Sequence, residues 1–222
     1  MKKTILALLS VFALSSVANA AVTISVTSNP TSGAQVFLSG GSTVIPDGSH
    51  VRIGTFVDAG NAFLEPSTTA TFAQLEASFR EFGTISSGHT AATGLNEGRI
   101  NTTNIAGAAT GEPDSFFVNK RIFLWIYNEP SPGAGVAPSS ATVQQGVFAT
   151  SSAVFLDQAV AVGVSLNNLT RAYGQYTGGT AATTNSAVDN GVTALTLGAP
   201  VPEPSSIALL GLIGLAGLRR KR

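Results

Sequence analysis

The sequence predicts a mainly β fold, a single β-sandwich of jelly-roll type with one accessory helix. Three observations predict it. Charged residues make up only 11% of the 222 residues, against roughly 25% in an average soluble domain, while hydrophobic residues reach 44%. Short runs alternate apolar residues with Thr or Ser, the period of a half-buried strand. Turn clusters such as SNPTSG and PDGS break those runs at close intervals.

Taken in chain order, AVTISVT (21–27) alternates cleanly and reads as a first strand. AQVFL (34–38) and VRIGTFV (51–57) follow as the second and third. The pattern then changes: Phe72, Leu75, Phe79 and Phe82 recur at helical spacing. Thr71 with Gln74 fits a capping box and Gly83 suits the C′ position, so a helix is expected over 71–82 with its apolar face on a sheet. Residues 83–114, rich in Gly, Thr, Asn and Ala, read as loop or irregular strand. The strongest strand signal is RIFLWIY (121–127), which is apolar on both sides around Trp125 and therefore expected to be central. ATVQQGVFAT (141–150), AVAVGVSL (159–166) and VTALTL (192–197) complete about seven or eight strands. No internal repeat of fixed period is apparent.

The zero net charge hides an uneven distribution. Six of the twelve cations are Lys2, Lys3, Arg219, Arg220, Lys221 and Arg222, at the two extremities. Residues 21–202 keep six cations against eleven acids, about −5. A body of that sign lacks the basic surface that nucleic acid requires, and nucleic-acid binding is discarded. The absence of cysteine rules out disulfides and thiolate metal sites without ruling out export.

Both ends read as addresses. MKKTILALLSVFALSSVANA has a cationic start, an apolar stretch and a small-residue exit at Ala18-Asn19-Ala20. This is the pattern of a signal helix, with signal peptidase expected to cut after Ala20. Residues 205–218 supply fourteen residues without a charge. As a helix they cover roughly 21 Å, short of a hydrocarbon core about 30 Å thick. Such a segment holds a protein at the membrane only transiently. Arg219, Arg220, Lys221 and Arg222 form a basic stop expected on the cytoplasmic side. Ahead of the apolar helix, Pro202-Glu203-Pro204 is kept extended by its two prolines and presents one carboxylate. The expected domains are 1–20, 21–199 and 200–222.

VPEPSSIALLGLIGLAGLRRKR (201–222) resembles the PEP-CTERM sorting signal of Gram-negative bacteria that make exopolysaccharide. The resemblance covers only the tail. It implies an exosortase, a membrane protease, as partner, with Pro202, Glu203 and Pro204 as the sorting motif. It implies a protein held briefly at the inner membrane and then delivered to the cell surface or extracellular matrix. The middle of the chain (VRIGTF, TFAQLEASFREFGTI and KRIFLWIYN) resembles uncharacterised PEP-CTERM proteins of verrucomicrobial and planctomycete-like bacteria, which imply no activity.

The body offers little chemistry. His50 follows a turn and His89 sits in ISSGHT; Ser86 or Ser87 could face His89, but no G-x-S-x-G elbow exists. Loop histidines of this kind are expected to be solvated, and no catalytic residue is assigned. No metal motif or cofactor is expected; Glu112 and Asp114 in GEPDS read as a solvated turn rather than calcium ligands. Glu65, Glu76, Glu81 and Glu97 show no spacing that pairs them for glycoside hydrolysis. Tyr173 and Tyr176, with Arg171 and Gln175 in RAYGQYTGG, could form a stacking platform for sugar. The leading expectation is an exported non-enzymatic surface or matrix protein. The alternative is a glycan-binding module of the exopolysaccharide matrix, and a secreted hydrolase comes third.

Overall fold

The computed structural model describes residues 22–27, 34–46, 48–85, 98, 100–106, 111–130, 143–157, 161–169, 171–173, 183–188 and 192–199. The signal segment, the sorting tail, His89, Ser86, Ser87, Glu97 and Tyr176 lie outside them. The described chain is mainly β. Eleven strands run in the order β1 (Thr23–Thr27), β2 (Gln35–Phe37), β3 (Val51–Phe56), β4 (Phe79–Ile85), β5 (Asn101–Ala106), β6 (Arg121–Tyr127), β7 (Gln145–Val154), β8 (Val162–Ser165), β9 (Arg171–Tyr173), β10 (Thr183–Val188) and β11 (Val192–Thr196). Helix α1 (Phe72–Ser78) precedes β4, and the single turn α2 (Asp114–Phe117) precedes β6.

The strands form three sheets. The largest, β4-β3-β6-β7-β9, is antiparallel throughout and has β6 at its centre. The other two are β5-β1-β8 and β10-β11-β2. Each contains one parallel pair, β1 with β8 and β11 with β2, so the first two strands are closed by partners from the last third of the chain.

Alternation along β6 dictates the layers. Ile122, Leu124 and Ile126 point to one face, where they meet Val51, Ile53, Phe82 and Phe148 of the same sheet. Across that core lie Ile24 and Val26 of β1, Val36 of β2, Val164 of β8 and Leu195 of β11, so both small sheets pack on one side of the large one. Phe123, Trp125 and Tyr127 point to the other face and join Phe56, Phe79, Val147 and Tyr173. Leu75 of α1 closes this second core, with Ala70 beside it and Phe72 packed edge-on to Trp125. Six residues of β6 thus serve two cores, three on each face.

Helix α1 begins as expected and ends sooner. Thr71 and Gln74 form the capping box: the Gln74 amide donates to Thr71 Oγ1 at 3.3 Å and the Thr71 amide to Gln74 Oε1 at 2.9 Å. The helix expected over 71–82 stops at Ser78, because Phe79 turns extended and residues from Phe79 onward pair with β3. A longer helix would place Phe79 and Phe82 on one face and leave the β3 edge without partners. As a strand, the segment sends Phe79 into the second core and Phe82 into the first. Gly83 is not a helix cap; it pairs with Ile53 within β4.

Register slips between Ile53 and Gly54, leaving Phe82 as the extra residue of a bulge. Gly54 is required there: a Cβ on it would lie 2.2 Å from the carbonyl oxygen of Arg80. Residues 83–114, expected to be largely irregular, contain the end of β4, all of β5 and the start of α2.

Candidate functional site

Helix α1 and strands β3, β4 and β6 bring four polar side chains together on the helix-covered face. Arg52 is 4% exposed and Glu81 6%. The Arg52 Nε donates to Glu81 Oε2 at 2.5 Å, and its Nη1 reaches Glu76 of α1 and the Tyr127 hydroxyl, the latter at 3.3 Å. The guanidinium carbon also lies over the rings of Phe79 and Trp125, at 4.8 and 5.3 Å from their centroids. Burial alone would lower the pKa of Arg52, but Tyr127, Glu81 and Glu76 together raise it above the ordinary arginine value. The group therefore stays cationic and exchanges no proton at any working pH. Its position fits a clamp: one cation joins the covering helix to the edge strand beneath two aromatic faces.

His50 is a correction to the sequence expectation. Far from being a solvated turn residue, it is fully buried. Its backbone extends the β3–β6 ladder, donating to Glu129 O and accepting from the Tyr127 amide, each at 2.9 Å. The imidazole stacks on Tyr127 at 5.8 Å between centroids, and neither ring nitrogen has a partner among the described residues. Burial, and then the charge of Arg52, hold its pKa at about 4 against an ordinary 6.5. It is a neutral core ring.

Tyr173 is the second correction. It lies in β9 rather than a loop and is 3% exposed, edge-on to Phe123, with its hydroxyl donated to Glu65. A ring packed this way offers no face to a sugar. Glu65 also accepts from Arg121, whose guanidinium covers the exposed ring of Phe63. Glu65, Glu76 and Glu81 are thus each engaged by a cation. The GEPDS turn is also less solvated than expected: Asp114 opens α2 and its Oδ2 accepts the Val22 amide at 3.0 Å, although 92 residues separate them. No cluster of three or more potential metal ligands occurs among the described residues.

The flank between β7 and β8 carries a groove of about 250 Å³, lined by Thr150, Ser152, Leu156, Val162, Ser165 and Asn168. Its lining mixes hydroxyl, amide and apolar side chains and includes no charged one. Sequence reasoning did not find it, because its walls come from two strands that meet only in the fold.

These features define a class: a β-protein whose buried charges tie its own layers together, followed by a terminal address. Residues 200–222 match the family of the PEP-CTERM protein-sorting motif, the segment that holds Pro202, Glu203 and Pro204. The chain carries that motif and is an exported protein sorted by an exosortase toward the cell surface. No curated protein and no solved structure matches the chain. Among the described residues no helix is long and apolar enough to cross a membrane; the apolar helix expected in the tail lies outside them.

Two measurements probe the buried cluster. Arg52→Met takes the guanidinium away from the buried Glu81 carboxylate and is expected to cost about 3–5 kcal/mol in urea unfolding. Arg52→Met/Glu81→Gln should recover part of that loss, whereas additive losses would show that the two residues act separately. Acid acts through His50. The unfolded chain takes a proton there near pH 6.5, which the folded one refuses until about pH 4. Stability should be intact above pH 6.5 and fall across that window, by up to about 3 kcal/mol. His50→Gln should flatten the profile between those limits; an unchanged slope would assign the acid sensitivity to other groups.

Proposed function

We propose that the protein is a non-enzymatic component of the cell surface or extracellular matrix, its β body being the cargo of its two terminal addresses. Signal peptidase removes residues 1–20 after Ala20 during export. The apolar tail then holds the body briefly at the inner membrane, with Arg219, Arg220, Lys221 and Arg222 on the cytoplasmic side, until an exosortase acts at Pro202-Glu203-Pro204. The PEP-CTERM match at 200–222 carries this reading. The engagement of Arg52, Glu76, Glu81 and Glu65 in packing supports a structural rather than a catalytic body.

In this reading Glu203, the one carboxylate of the motif, is the group that the exosortase recognises. Glu203→Ala is expected to leave full-length protein held in the membrane fraction. Normal tail removal in that variant, seen by immunoblot of cell fractions, would dismiss Glu203 as the recognised group.

Binding to matrix polysaccharide is the second reading, and the groove beside β8 favours it over the buried Tyr173. Hydroxyls of Thr150, Ser152 and Ser165 and the amide of Asn168 suit a neutral, hydroxyl-rich ligand. A glycan array on residues 21–199 tests it. Binding lost on Asn168→Ala would favour a lectin-like role, and a blank array would leave the scaffold reading.

A further inference from the structure

We propose that the outer edge of β8 docks a second copy of this chain, the two β8 strands pairing antiparallel about a two-fold axis. The inference goes beyond the surface or matrix reading above and does not depend on sugar binding in the groove.

Strand β8 ends the sheet β5-β1-β8 and gives one edge to β1, residue for residue from Val162 to Ser165. Its other edge meets no strand among the described residues. Such an edge is normally guarded by a charge, a bulge or a covering segment. The other end strands each carry one of these. The pairings of β4, β5 and β10 slip register. β9 opens with Arg171. β2 is covered: Val36 donates to Gly98 O at 2.7 Å and accepts from the Ile45 amide at 3.0 Å. β8 reads VGVS, with no charge, no proline and no slip against β1.

The surroundings of that edge fit a copy of the same chain. Gly163 is exposed, and a Cβ added there would meet nothing within 4 Å. Leu156, a large apolar residue left 36% exposed, lines the groove beside it. Residues 21–202 carry about −5, so two copies repel, yet no charged side chain lines this flank. Like-charged copies can meet there.

Residues opposite one another in an antiparallel pair face the same side, so a two-fold normal to the sheet passes through a residue. With Val164 opposite its own counterpart, Gly163 stands opposite Ser165 of the partner subunit. Two three-stranded sheets then become one of six strands. A four-residue edge is about 13 Å long, too little for the roughly 1,200 Å² that a stable interface buries. The pair is therefore reversible and forms where the protein is crowded. Pairing covers the β8 wall of the groove, so a bound sugar and a second copy exclude each other.

Sedimentation velocity on the exported protein, from about 10 μM to 1 mM, should show a concentration-dependent dimer. Gly163→Glu sets two carboxylates across the axis and should weaken dimerisation about five- to tenfold. Gly163→Gln, equal in size and uncharged, should change it less than about twofold. The open space over Gly163 lets both variants fold, which their urea midpoints check. Screening the body's charge with about 1 M NaCl should tighten the pair. A protein monomeric throughout, equal effects of the two variants, or dissociation by salt would overturn the proposal. None of these bears on the surface or matrix reading, which the fractionation and glycan experiments address separately.

Discussion

Strand β6 must be covered on both faces, and the rest of the body is arranged to do so. Six consecutive residues, from Ile122 to Tyr127, are buried in a strand that alternates sides. One face requires an apolar layer, which β1, β2, β8 and β11 supply from two small sheets. The opposite face carries the larger rings, Phe123, Trp125 and Tyr127, and receives a short helix together with the aromatic residues of β3, β4 and β9. Each of these side chains gains roughly 1.5–3 kcal/mol from leaving water. The Arg52 cluster contributes little net energy by comparison, because the desolvation of its charges opposes their attraction. Apolar burial stabilises the body, and the charges fix where its covering helix sits.

That division explains which parts of the fold were readable in advance. β1, β3, β6 and β11 carry apolar alternation or a continuous apolar run, and their positions match to within a few residues. The start of α1 was readable because a capping box is local chemistry. Its end was not, since Phe72, Leu75, Phe79 and Phe82 keep helical spacing while the β3 edge imposes a strand on the last two. The unread strands β4, β5, β9 and β10 all lie at sheet edges. NTTNIA and TTNSAV are polar segments whose strand state comes from a neighbour's free hydrogen bonds rather than from their own pattern.

The buried cluster was invisible for the same reason. Arg52 alternates with Val51 and Ile53 as a solvent-facing residue would, and only the arrival of Glu76, Glu81 and Tyr127 from three other elements shows otherwise. Tyr173 looked like a loop aromatic because its partner Glu65 lies 108 residues away. The sorting motif stood out because a processing enzyme reads it as a linear stretch, so its recognition chemistry is written in consecutive residues.

The last described contact of the body bears on that enzyme. Gly198 donates its amide to Gln145 at 2.9 Å, and the described chain runs to Ala199. From there to Pro202 the backbone reaches at most about 11 Å. The sorting motif therefore begins beside the corner that holds Gln145 and Gly198, and an enzyme acting on it would meet that corner of the body.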